Sequence, residues 1–91
     1  MFKVYVLYSP QHLKIYVGFT SDLENRMDSH NIYSKKGYTA KFRAWEILFT
    51  EKYDSNRDAT TREKQLKSAK GRDYIWEVAY KKYNLYITQW F

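Results

Sequence analysis

The chain has 91 residues, no cysteine and a formal net charge of +6. That length supports one domain with a small core, and the missing thiols exclude disulfide bracing and a thiolate metal site. No run is long enough for a membrane span, and the apolar start, Met1 to Tyr8, is short and lacks a small-residue cleavage site, so a cytoplasmic protein is expected.

Residues 2–9 alternate and are rich in Val and Tyr, which predicts a strand. Ser9-Pro10-Gln11-His12 is a turn, and Lys14 to Phe19 is a second strand, close enough to pair as a hairpin. Ser21-Asp22-Leu23-Glu24 has capping-box form, so a helix should start near Asp22 and run to about Asn31. Ser34 to Arg43 is expected to be a polar, basic loop. Trp45 to Lys52 reads as a third strand. Ser55 or Asn56 can cap a helix reaching about Lys70, with Gly71 as its end. A last helix covers about Arg72 to Lys82, and an apolar tail spans residues 83–91. The expected fold class is α+β: a small, mostly antiparallel three-stranded sheet flanked by helices, in the order β-β-α-β-α-α, forming one domain over residues 1–91.

Aromatic residues make up 20% of the chain, and ten of them are Tyr. In a small domain they supply buried apolar area. Residues 1–34 balance three basic against three acidic residues, whereas residues 35–91 hold 13 basic against 7 acidic. A basic balance favours a polyanionic partner, nucleic acid first, although it also serves solubility.

Successive strand side chains point to opposite faces. Val4 and Val6 share one face, as do Ile15, Val17 and Phe19, and these are natural core positions. Tyr5 then lies on the other face of the first strand, with Lys14, Tyr16 and Gly18 on the other face of the second. A glycine inside a strand marks either a close approach by a ligand or another backbone, or a bulge or space for a helix. On the next helix Arg26 and His30 are four apart and share a face. Leu23 and Met27 form the apolar stripe beside them, and Asp22–Arg26 is an alternative surface ion pair. Ala59, Glu63 and Leu66 fall on one stripe of the later helix. A carboxylate there needs a partner or a metal, and Lys67, four residues on, can supply the former.

These residues resemble the GIY-YIG nuclease superfamily. Val4-Tyr5-Val6 is similar to its first motif and Tyr16-Val17-Gly18 to its second. Arg26 and His30 match the Arg and His of the following helix, and Glu63 the metal-binding Glu. The run His30-Asn31, Gly37-Tyr38-Thr39-Ala40-Lys41 and Trp45-Glu46 is similar to the short, single-domain bacterial members, related to the nuclease domain of the excinuclease C subunit. The resemblance covers roughly residues 2–76. Lys3 stands where the first motif has Gly, and Asn84 is the candidate for the family's C-terminal Asn.

The resemblance implies a metal-dependent endonuclease acting on nucleic acid, DNA before RNA, in repair or turnover. One divalent ion, Mg2+ or Mn2+, would be held by Glu63 and waters, since magnesium keeps several waters. Arg26 would offer donors to a phosphate oxygen, His30 would bond the phosphate or relay a proton, and Tyr16 would position water or phosphate. Tyr5 would be the base. A free Tyr costs about 4 kcal/mol to ionise at pH 7, so Lys14 and Arg26 are expected to lower that cost, with activity rising above neutral pH. Lys14, Lys35, Lys36, Tyr38, Thr39, Lys41, Arg43 and Lys67 are the candidate nucleic-acid contacts, mixing charge with stacking surface. Arg62, Lys64, Lys67, Lys70 and Arg72 form a second basic run, part of it solvated surface. The alternative function is a non-catalytic nucleic-acid-binding module on the same fold, and the aromatic tail leaves a protein partner or a homodimer open.

Overall fold

The computed structural model describes residues 1–33 and 37–83. Strands β1 (Phe2–Ser9), β2 (Lys14–Thr20) and β3 (Glu46–Tyr53) form an antiparallel sheet in the order β2-β1-β3. Helices α1 (Leu23–Asp28), α2 (Tyr38–Lys41), α3 (Asn56–Lys67) and α4 (Ala69–Tyr83) complete the α+β fold, and a π-helical turn, Ser29–Tyr33, follows α1. The expected element order is therefore present. The stretch expected to be loop contains α2, whose single turn the basic composition gave no reason to predict.

The central strand is covered on both faces, so Val4 to Ser9 are all buried. Val4, Val6 and Tyr8 join Ile15, Val17 and Leu48 against Ala59 and Leu66 of α3 and Ile75 and Ala79 of α4. On the opposite face Tyr5 and Leu7 pack with Trp45, Tyr16, Leu23, Met27 and Phe42. The alternation predicted from the sequence thus separates the two layers, and Leu23 and Met27 anchor α1 as expected. A bulge in β3 between the partners of Val6 and Leu7 gives the strand one extra residue. Leu48 and Phe49 both reach the helix-side core as a result.

Local chemistry sets the helix ends. The Asp22 side chain accepts from the Asn25 backbone N–H, so Asp22, not Ser21, caps α1. Ser55 caps α3 in the same way through the Asp58 N–H. At its other end α3 stops at Ser68, earlier than the expected Lys70. The Ser68 hydroxyl donates to the Gln65 carbonyl and accepts from the Gly71 N–H, so it closes α3 and opens α4. Gly71 lies inside α4 and ends nothing. A Cβ there would sit 2.1 Å from the Gln65 carbonyl oxygen, so its bare backbone lets α4 fold tightly back from α3.

Among the described residues, each edge strand of the sheet is met by a side chain. Tyr38 donates its hydroxyl to the Ile15 carbonyl of β2, and the Lys82 ammonium donates to the Ile47 and Leu48 carbonyls of β3. The apolar tail expected beyond Tyr83 lies outside the described residues, as does Asn84.

Candidate active site

Tyr5 and Gly18 are paired across β1 and β2. The phenol of Tyr5 turns over Gly18, where a Cβ would meet its oxygen at 2.5 Å. Neither reading of that glycine from the sequence applies, because the space belongs to a side chain of the neighbouring strand. From there the Tyr5 hydroxyl is hydrogen-bonded to His30 Nε2 at 2.9 Å. The Tyr16 ring lies against both partners, its centroid 4.9 Å from that of His30 and 6.2 Å from that of Tyr5. Tyr5 is 2% and His30 6% exposed.

The π-helical turn that carries His30 is fastened by four hydrogen bonds that its own position in the sequence does not reveal. The Asn31 side chain accepts from the Trp45 N–H at 2.7 Å and donates to the Trp45 carbonyl at 3.2 Å. The Trp45 indole donates to the Thr39 carbonyl at 2.8 Å, and Arg43 Nε donates to the His30 carbonyl at 3.0 Å. Asn31, Thr39, Arg43 and Trp45 therefore lock the segment after α1 to the start of β3. Arg43, expected to contact nucleic acid, is half-buried here and spends its Nε–H on this backbone bond.

Arg26 is exposed on α1, and its charge acts on both Tyr5 and His30. Among the described residues it makes no ion pair, so the Asp22–Arg26 alternative is not formed. Glu63 lies on α3 with its side chain 18% exposed, and Lys67 Nζ is 3.4 Å from its Oε1. Glu63 also acts electrostatically on Tyr5. The five residues singled out from the sequence are thus a contacting trio, buried Tyr5 and His30 with half-buried Tyr16, and Arg26 and Glu63 within electrostatic reach.

The electrostatics depart from expectation. Burial pushes the Tyr5 phenol well above its ordinary pKa, Tyr16 and Glu63 push the same way, and Arg26 alone pulls it down. Lys14 takes no part in this. Instead its ammonium sits 5.2 Å from the centre of the Phe42 ring, with Lys41 at 5.3 Å. Burial, and then Arg26, hold the His30 imidazole below its ordinary range. At neutral pH Tyr5 is a phenol and His30 a neutral imidazole.

Beside the trio, a hollow of about 340 Å³ opens at the edge of β2, lined by Ile15, Tyr16, Val17, Tyr38, Lys67 and Arg72. Tyr38 is 43% exposed and its ring lies 6.4 Å from Tyr16. Of the expected nucleic-acid contacts, Tyr38 and Lys67 line this hollow. Thr39 contributes its carbonyl to the Trp45 indole, and Lys35 and Lys36 lie outside the described residues. Arg72 belongs to this hollow too. The sequence placed it in the second basic run, and only the fold of α4 back along α3 brings it to Tyr16.

The donor set fits a largely hydrated divalent cation. Among the described residues no three His, Cys, Asp or Glu side chains cluster, and a single carboxylate is the arrangement magnesium accepts when it retains its waters.

A strand pair bearing Tyr5 and Tyr16, a helix bearing Arg26 and leading to His30, and a later helix bearing Glu63 define a nuclease domain of the GIY-YIG type. The GIY-YIG catalytic domain model matches residues 1–84, and the chain belongs to that family. It is 32% identical over 76 residues to the UPF0213 protein of Bacillus velezensis (strain FZB42), a match covering 80% of this chain and 77% of that protein. No described helix is long and apolar enough to cross a membrane.

Proposed function

We propose that this chain is a metal-dependent endonuclease that hydrolyses phosphodiester bonds in nucleic acid, DNA before RNA, in cytoplasmic repair or turnover, with residues 1–91 acting as one domain. The observation that carries this reading is the 2.9 Å hydrogen bond between the Tyr5 hydroxyl and His30 Nε2, with the Tyr16 ring against both.

The raised phenol of Tyr5 argues against a phenolate formed in advance. With the His30 proton on Nδ1, Tyr5 donates to Nε2. As water attacks phosphorus, its proton passes to the Tyr5 oxygen while the Tyr5 proton moves to His30. Such a relay never builds a free phenolate, so the cost of ionising Tyr5 is avoided. Arg26, exposed beside the trio, binds a non-bridging phosphate oxygen with its fork of donors. Tyr16 orients the water or the phosphate. Glu63 would hold Mg2+ or Mn2+, and when bound the ion would supply Lewis-acid polarisation of the phosphate and of the leaving oxygen. Lys67 and Tyr38 give the strand charge and a stacking surface, and Lys14 and Lys41 flank Phe42 further out.

A second reading, a binding module without catalysis, is favoured by the Glu63–Lys67 pair, which leaves the carboxylate already partnered. One experiment separates the two. Labelled single-stranded, duplex and branched DNA and RNA are incubated with the chain and Mg2+ or Mn2+, with Glu63→Gln alongside. Metal-dependent cutting that Glu63→Gln loses, with binding retained, supports the nuclease. Salt-sensitive binding with every substrate intact supports the module.

A further inference from the structure

The second basic run does not form one surface. The α3–α4 corner divides it, with Lys67 and Arg72 lining the hollow beside Tyr16. Arg62, Lys64 and Lys70 line a larger hollow of about 650 Å³, with Gln65, Leu66, Ser68, Gly71 and Tyr74. None of the five candidate catalytic residues reaches it. Its walls carry three cations and no carboxylate. Glu51, held by the hollow's Arg62, is neutralised by it: Nε and Nη2 bond its two carboxylate oxygens at 2.8 and 3.1 Å. Among the described residues Lys64 and Lys70 form no ion pair. Tyr74, 48% exposed, stands at the rim with its ring braced edge-on against Phe49 at 5.9 Å.

Unpaired ammonium groups around a concave surface, with a braced aromatic face beside them, match a phosphodiester chain and its bases. We propose that this hollow is a second nucleic-acid site, holding the phosphate backbone of the substrate on the side of the α3–α4 corner away from the reacting bond. The proposal rests on the nuclease reading for its ligand. Residues of both α3 and α4 line each hollow, so one strand crossing the α3–α4 corner would meet Lys67 and Arg72, then Lys64, Lys70 and Tyr74.

The test is binding of a fluorescein-labelled oligonucleotide, single-stranded and duplex, to the full chain without divalent metal, titrated across salt. Lys64→Ala/Lys70→Ala is compared with Lys52→Ala/Lys81→Ala, which removes the same charge elsewhere. The hollow variant should flatten the slope of log Kd against log salt by about 1.4 on single strands and about 1.8 on duplex. The control should leave it at the wild-type value. Tyr74→Ala should weaken binding about fivefold or more at unchanged slope. Equal slopes for the two double variants overturn the proposal while leaving the nuclease reading standing. A wild-type chain that neither binds nor cuts nucleic acid overturns both.

Discussion

Gly18 leaves the space that the Tyr5 phenol fills, and the Tyr5 hydroxyl reaches His30 only from that position. The second motif of the sequence is thus the socket for the first. Gly18→Ala would put a methyl group 2.5 Å from the phenol oxygen and 2.7 Å from Cζ. The ring is buried and must move by the better part of an ångström. The expected outcome is a folded protein whose kcat/KM falls about a hundredfold, the scale at which such displacements act. Circular dichroism melts and cleavage rates on the same preparations check it.

The pH profile follows from His30. Its pKa is lowered by burial and by Arg26, so the neutral, proton-accepting form is lost only as pH falls below the ordinary histidine range. Cutting should rise on the acid side with a midpoint below about 6.5 and then stay flat past neutrality, since the Tyr5 phenol is pushed up. A Tyr base ionised in advance predicts a rise above pH 7 instead. Single-turnover rates from pH 5 to 9.5, where chemistry limits, decide between them, with Tyr5→Phe as the inactive reference.

The same shift acts on stability. A folded-state pKa below the unfolded one means that the unfolded chain binds more protons between the two values. Stability is therefore full above about pH 6.5 and declines as pH falls toward the folded pKa. Melting temperatures at pH 7.5 and 5.5 should differ more for the wild type than for His30→Gln.

Asn31 bonds both backbone groups of Trp45. Removing it leaves a half-buried N–H and carbonyl unpaired, at about 1–3 kcal/mol for each group that water cannot reach. Asn31→Ala should destabilise by about 2 kcal/mol and lower activity by loosening His30. Denaturant melts with an unchanged m-value, alongside cleavage assays, measure the two effects separately.

Gly71 offers a sign test. Helix propensity favours Ala over Gly by about 1 kcal/mol. The corner forbids it, because the new Cβ would meet the Gln65 carbonyl oxygen at 2.1 Å and Leu66 Cα at 2.5 Å, both backbone atoms. Gly71→Ala should lower stability by more than about 1 kcal/mol, a drop of about 4–8 °C or more in Tm for a domain of this size.

Strand alternation made the two-layer sheet legible, because Val4, Val6, Ile15 and Val17 left one arrangement that buries them all. Spacing put Arg26 and His30 on one helix face, whereas α1 ends at Asp28 and the π-helical turn after it carries His30 into the interior while Arg26 stays exposed. What local pattern could not express was contact across the fold. Ser68 ends α3 because its hydroxyl serves two helices at once, and nothing in the sequence around Gly71 distinguishes a helix end from a tight corner. The roles of Arg43 and Asn31 depend on residues 13 and 14 positions away. The direction of the Tyr5 shift depends on burial outweighing Arg26, which residue types alone do not decide.

The bonds from Tyr38 to Ile15 and from Lys82 to Ile47 and Leu48 carry a consequence for association. A three-stranded sheet in an aromatic-rich chain exposes two rows of main-chain groups that invite a further strand. Each row here is already plugged by a helix-borne donor, one neutral and one charged. An incoming strand would have to evict a phenol on one side, or strip a hydrated ammonium of its carbonyls on the other, before its first ladder bond could form. Among the described residues, one phenol and one ammonium thus occupy carbonyls at the two edges where such pairing would begin.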